Sequence, residues 1–479
     1  MKLTDALKTK NTTTENGMTT NTTSMNYNVD LFFKAGALRN ADDSLIISLV
    51  SKAWNEDHTT CLQILFWSRD IRGGAGERRF FKTAIKYIAD KDPQGMADIL
   101  CLIPEFGRWD DLLIFEDTQS EDFALSIIDT ALNAGNSLCA KWMPRKGTFA
   151  SKLRKFMELT PKAYRKKLVK LTNVVETQMC ANDWNSIEFG KLPSVASARY
   201  QKAFGKHAYE SYSSYIQSLV NGEAKINAGA VYPYDITKSL IKGNETVASE
   251  QWKALPNFLE GNTERILPLV DVSGSMSSVC GGNLTCMDVA ISLGLYISER
   301  NEGPFKDHFI TFSSKPQLQH LTGSLKDRFY QMGSSDWDMY TNLEAAYRLI
   351  LDQAVKHKVS QEEMPTQILI LSDMEFDTAI VSRVWCGANT GWNPTAQEMI
   401  KSMFTDAGYE LPNIIYWNIQ SRGENVPVRF DEQGTALISG FSPSIMTSLL
   451  SGTSMNPLSI MMETIGKERY SRIKYETNQ

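Results

Sequence analysis

Asp271, Ser273 and Ser275 stand at positions i, i+2 and i+4 of the segment DVSGS. One carboxylate and two hydroxyls form an all-oxygen donor set, which suits a hard cation that keeps some of its waters: Mg²⁺, with Mn²⁺ as a substitute. Two more oxygen donors lie further along, Thr341 at the start of TNLEAAYRLIL and Asp373 at the end of QILILSD. Asp271 and Asp373 would supply charge, and the hydroxyls would leave the metal electron-poor, favouring an acidic ligand at an open position. Read structurally instead, Ser273 and Ser275 cap a following helix and Asp373 is a turn residue. Glu375 and Asp377 either tune this site or are ordinary loop acids.

A second group of residues points to phosphate. Residues 141 to 170 contain eleven basic side chains, Lys141, Arg145, Lys146, Lys152, Arg154, Lys155, Lys162, Arg165, Lys166, Lys167 and Lys170, against the single acid Glu158. Phosphate contacts supply most non-specific nucleic-acid affinity, and Trp142, Phe156 and Tyr164 interleave with the charges where they could stack on unpaired bases. The alternative is a solvated helix face with core aromatics. Arg69, Arg72, Arg78 and Arg79 surround the glycine-rich turn of RGGAGERR, whose amides could hold a phosphate. That turn lacks the Lys-Ser/Thr ending of a Walker A loop, and its arginines could equally pair with neighbouring acids.

Other chemistry is poorly represented. The five histidines have no ligand spacing, and the seven cysteines form no CxxC or Cys/His pattern, so neither a zinc site nor a disulfide framework is expected. No general base and no second carboxylate cluster accompany the cation set, which places a metal-dependent phosphoryl-transfer enzyme behind non-catalytic readings.

These residues need elements to position them. After Gly261, short apolar runs alternate with helical segments: 266–273, 308–314, 367–373 and 413–420 read as buried strands, and 286–300, 342–357 and 395–408 as helices. That rhythm predicts a doubly wound parallel sheet, which binds ligands at the carboxyl ends of its strands near the switch in strand order. Before residue 261 the pattern is helical, as in Leu45, Ile46, Leu49, Val50 and Ala53 or in Phe80, Phe81, Ala84, Ile85 and Ile88. Antiparallel helices packed in series, as in HEAT-like arrays, are the simplest architecture for it. Residues 10 to 26, rich in Thr and Asn, read as a flexible tail. The expected class is multidomain α + α/β, with a tail over 1–28, helical repeats over 29–260 and a Rossmann-like domain over 261–479.

DVSGS, Thr341 in YTN and Asp373 in LSD, in that order, resemble the metal-ion-dependent adhesion site of von Willebrand factor A domains. The order of RDIRGGAGERR, FGRWDDLL, KWMPRKG, YRKKL, WNSIEFGKLPS and SDMEFD further resembles a family of Ro-like proteins that join a TROVE-type helical-repeat domain to a von Willebrand A domain. The likeness spans most of residues 29 to 479, and its similarity to Ro autoantigen ribonucleoproteins is distant. It implies a ring of helical repeats closed by the A domain, with single-stranded RNA ends in the central hole and small structured RNAs on a basic outer face.

Composition bounds these readings. With 479 residues, 42% hydrophobic and 22% charged, the chain is globular and multidomain. The formal net charge of −5 opposes indiscriminate coating of nucleic acid. It divides unevenly, with 33 basic and 30 acidic side chains up to residue 260 and 17 and 25 after it. There is no leader-like apolar stretch and no run of 18 apolar residues, so a cytoplasmic protein without membrane association is expected. The expected function is non-catalytic RNA binding, without DNA specificity, through the helical half, with Mg²⁺ in the A domain. The alternative is a protein-interaction scaffold that captures a partner's carboxylate through the metal.

Overall fold

The computed structural model describes residues 11–312, 316–334, 342–377, 394–422, 425–451 and 454–476. They divide into two compact units. One comprises the described residues up to Ile64, Tyr232–Ile241 and Asn257–Lys467, and the other comprises Leu65–Val231, Lys242–Pro256 and the C-terminal stretch from Glu468.

The first unit opens with an antiparallel hairpin, β1 (Asn11–Thr13) and β2 (Thr19–Asn21), in register Asn11 to Asn21. The expected flexible tail is thus corrected for this stretch. Its order comes from polar pairing, which a count of apolar side chains does not register. Thr14 Oγ1 donates to Phe376 O over 2.7 Å, Asn21 and Val426 exchange backbone bonds of 3.1 and 2.8 Å, and Met18 is buried. Gly17, at φ 89°, makes the turn.

The main sheet contains β3 (Ile266–Asp271), β6 (His308–Phe312), β7 (Gln317–His320), β8 (Gln367–Ser372), β9 (Asn413–Asn418) and β10 (Thr435–Ser439), while β4 (Val279–Gly281) and β5 (Leu284–Thr285) form a small separate hairpin. Its order is β10-β9-β8-β3-β6-β7, parallel throughout except for β7, which runs antiparallel to β6 at the edge. The apolar runs of β3 and β8 are buried at every position, as a parallel strand covered on both faces requires. Helices Cys286–Arg300, Leu343–His357 and Ala396–Ala407 fall where periodicity placed them. Thr285 and Thr395 begin the first and third with reciprocal capping boxes to Asp288 and Glu398. The α + α/β class holds, with a mixed rather than purely parallel sheet.

The domain boundaries expected at 29 and 261 differ from the compact units. Helix Tyr27–Ala35 buries eight of its nine residues and packs on β10: Gly36 N donates to Ser439 Oγ over 3.0 Å, and Ser439 Oγ to Phe32 O over 2.9 Å. A Cβ on Gly36 would lie 2.5 Å from Gly440 Cα, so glycine permits this approach. A helix buried on nearly every side must be enclosed, and here the following helix Asp43–Glu56 and the sequence-distant β10 and helix Pro457–Ile465 pack against it.

The second unit is helical. Helix Arg79–Lys91 buries Phe80, Phe81, Ala84, Ile85 and Ile88 along one face, and Phe66 meets Phe81 and Phe106 edge-on. The C-terminal stretch joins this core. Arg469 grips Asp70 through two nitrogens, and the Tyr470 hydroxyl donates to the same carboxylate over 3.1 Å while its ring stacks on Phe106. Among the described residues, no helix is long and apolar enough to cross a membrane.

Candidate metal centre and basic face

Strand order reverses at β3, which lies between β8 and β6, and the expected oxygen donors gather at the carboxyl ends of β3 and β8. Asp271 is fully buried at the last position of β3. Its Oδ1 accepts the Ser273 amide over 2.9 Å, its Oδ2 accepts the Ser372 hydroxyl over 2.6 Å, and the Ser273 and Ser275 hydroxyls are 3.0 Å apart. Beyond β8, Met374 adopts the left-handed region at φ 65°, a conformation uncommon for a bulky residue. This turn lets the Glu375 amide reach Asp373 Oδ1 over 3.3 Å, and Asp373 also accepts a hydrogen bond from Ser275. Four of the five expected donors, Asp271, Ser273, Ser275 and Asp373, therefore converge; Thr341 lies outside the described residues.

Burial, reinforced by the neighbouring Asp373 charge, pushes the Asp271 carboxyl well above its usual range. Burial also raises Asp373, against the pull of Arg422 and Ser275. Two carboxylates buried together resist joint ionisation, and a bound dication would reverse that preference. Asp373 Oδ2 is buried without a hydrogen-bond partner, and Arg422 Nη2 lies 3.2 Å from it. This orphaned oxygen, the hard donor set and the negative charge fit Mg²⁺ or Mn²⁺. Among the described residues no cluster of three or more His, Cys, Asp or Glu side chains converges, so the set depends on its hydroxyls.

Ser372 and Arg422 were not anticipated, whereas Glu375 was named as either tuning the site or an ordinary loop acid. Ser372 steadies Asp271, and the buried Glu375 carboxylate accepts Asn425 Nδ2 over 2.9 Å and the Glu15 amide over 2.6 Å. Arg422 follows β9, neighbour of β8, and so arrives at the same sheet end; the position of a charged residue just past a strand was the available signal. Cys280 and Cys286 are packing residues, with Cys286 Sγ donating to Gln420 Oε1 over 2.8 Å.

In the helical unit the two arginine-rich segments behave differently. Arg69 is buried and paired with the fully buried Asp111, Nη2 to Oδ2 2.7 Å, while Arg78 contacts Asp110 and Asp111 and Lys82 reaches Asp111 at 3.2 Å. Arg69 is thus committed to an internal ion pair and cannot serve a phosphate cradle, whereas Arg78 is exposed while paired with Asp110 and Asp111. Arg72 and Arg79 are exposed.

Within 141–170, Lys141 pairs with Glu176 at 2.9 Å, Lys152 with Asp117 and Glu121, and Lys167 donates to Asn133. Tyr164 is core, its hydroxyl donating to Pro144 O over 2.9 Å, and Trp142 is faced by Arg108 at 4.1 Å from its centroid; neither presents the free ring expected for base stacking, whereas Phe156 is exposed. Arg154 is half-buried. The exposed cations are Arg145, Lys146, Lys155, Lys162, Arg165, Lys166 and Lys170. The last four lie on helix Pro161–Leu171, whose opposite face buries Tyr164 and Leu168 and whose start is capped by Thr160. Spacing of four places Lys162, Lys166 and Lys170 in one stripe.

Comparison with known proteins adds the following. A curated relative, "Uncharacterized protein L728" of Acanthamoeba polyphaga mimivirus, is 28% identical over 94% of this chain and 86% of its own length. The crystal structure of the Ro (RSR) protein of Deinococcus radiodurans superposes with a TM-score of 0.39 at 12% identity, covering 93% of this chain and all of that one. A model described as a domain of unknown function (DUF2828) matches residues 14–115 and 148–263. The model described as a domain of unknown function (DUF7788) matches residues 238–478, which include the whole main sheet and its converging oxygen donors, and the chain belongs to that family.

Proposed function

We propose that this chain is a non-catalytic RNA-binding protein of Ro-like type, working in the cytoplasm. In this reading the helical unit grips the phosphate backbone of RNA, single-stranded ends or small structured RNAs, and the sheet-containing unit is a von Willebrand A-type domain that holds Mg²⁺. The observation that carries it is the stripe of Lys162, Lys166 and Lys170 with Arg165 beside it, exposed in a chain whose net charge is negative. Localised cation density of this kind attracts a polyanion without coating it. The motif order noted in the sequence agrees. Asp271, Ser273, Ser275 and Asp373 would hold the cation, with Thr341 as the further candidate; the ion would supply positive charge at the sheet's ligand-binding end. Titration of full-length protein with labelled single-stranded RNA across salt concentrations tests the reading. A steep loss of affinity with salt is expected, and absence of binding at low salt, with or without Mg²⁺, overturns it.

The orphaned Asp373 Oδ2 favours a second reading, in which the cation presents an open position to a partner protein's Asp or Glu and the chain is an interaction scaffold. Sequencing of copurifying nucleic acid separates the two: enriched defined RNAs support the first, and their absence favours the second.

A further inference from the structure

Beside the candidate metal ligands stands a cation that the protein supplies itself. Arg422 Nη2 lies 3.2 Å from Asp373 Oδ2 and donates to Ser275 O over 2.7 Å and to Ser278 Oγ over 2.9 Å. Its other terminal nitrogen, Nη1, is 3.5 Å from Glu15 Oε2. One guanidinium thus joins a candidate ligand to an acid of the N-terminal hairpin. Glu15 is held there by the backbone around it. The Glu15 amide donates to Glu375 Oε2 over 2.6 Å, Asn16 Nδ2 to Glu375 O over 2.7 Å and Thr14 Oγ1 to Phe376 O over 2.7 Å, while Gly17 bridges to Asp377. All these partners belong to the loop that begins at Asp373.

We propose that Arg422 and Glu15 are a built-in substitute for the bound cation and its acidic ligand, so that cation binding displaces Arg422 and loosens the hairpin of β1 and β2. The inference rests on the metal reading above. Asp373 Oδ2 is fully buried and accepts no hydrogen bond, so the guanidinium offsets its charge when no ion does. A dication at the same oxygen repels that guanidinium, and the contact with Glu15 goes with it. An external carboxylate reaching the ion then competes with Glu15 for the same positive region.

Full-length protein provides the test, with Mn²⁺ as the probe. Binding is read from the paramagnetic resonance signal of free Mn²⁺, and the hairpin from amide hydrogen exchange over residues 11–21. In the wild type, Mn²⁺ should accelerate exchange across the hairpin. Arg422→Gln should bind Mn²⁺ about tenfold more tightly, the effect of removing one unit charge beside the site, with hairpin exchange already fast and unresponsive. Asp271→Ala should show neither response. Mn²⁺ binding with unchanged hairpin exchange in the wild type overturns the proposal, and so does equal affinity in folded Arg422→Gln. If neither wild type nor Arg422→Gln binds Mn²⁺, the metal reading itself fails and the inference with it. The wild-type exchange measurement decides the matter should Arg422→Gln not fold.

Discussion

The Ser372 hydroxyl donates to Asp271 Oδ2 over 2.6 Å while accepting the Met374 amide over 3.1 Å, so the side chain closing β8 fixes the carboxylate closing β3. All of these groups are buried. Ser372→Ala leaves two buried polar groups without a partner and should destabilise the sheet-containing unit by about 1–3 kcal/mol. Denaturant unfolding of metal-free protein measures it, and an unchanged midpoint would show that the bond contributes nothing.

The paired substitution Asp271→Ala with Ser273→Ala removes a charge and a hydroxyl from the converging set. Wild-type protein should be stabilised by Mg²⁺ or Mn²⁺ by about 2.7 kcal/mol at a hundredfold excess over Kd, and the double variant should not respond. Thermal unfolding with and without cation reads the difference, and circular dichroism checks that the fold persists. An equal cation response in both proteins removes the assignment.

How far the site was legible depended on chain separation. Asp271, Ser273 and Ser275 lie within five residues, so their motif, with the buried runs of β3 and β8, was enough to place this candidate donor loop at the end of a strand. Asp373 followed because a parallel sheet brings strand ends together. Arg422 offered only its position just past a strand and Glu15 offered nothing, because their role arises only when β9 and the N-terminal hairpin reach the same sheet end. The tail was misread for a related reason: Thr14, Thr20 and Asn21 are ordered by hydrogen bonds to residues more than 350 positions away, which local hydrophobicity does not report. In the basic segment, charge counting could not tell Lys152, neutralised by Asp117 and Glu121, from Lys166, which faces solvent.

Asp111 makes the helical unit sensitive to acid. Burial alone would raise its carboxyl, but Arg69 and Lys82, with the Arg108 amide, hold it below the usual carboxylate range. A folded-state value below the unfolded one contributes stability that is complete above the unfolded value near 3.8 and is lost as pH falls through the depressed folded value. Stability of this unit should therefore decline below about pH 4. Arg69→Ala, which takes the closest cation from a buried carboxylate, should cost about 3 kcal/mol at neutral pH and weaken that acid dependence. Urea midpoints between pH 3 and 7 for the two proteins provide the check; parallel profiles would show that Arg69 does not set the Asp111 carboxyl.

The exposed stripe on helix Pro161–Leu171 makes a prediction that separates it from the rest of the basic segment. Lys162, Lys166 and Lys170 point away from the face that buries Tyr164 and Leu168, so their replacement by Glu should leave packing intact. If each neutralises one phosphate, the triple variant should bind single-stranded RNA far more weakly whatever its sequence. Removing those contacts should also reduce the slope of log affinity against log salt by about 2, at roughly 0.7 per contact. Lys152→Ala should change RNA binding little, because that ammonium already faces two carboxylates within the fold. Affinities measured at several salt concentrations test both statements together. Equal losses in Lys152→Ala and the stripe variant would mean that overall charge, and not the exposed helix face, governs binding.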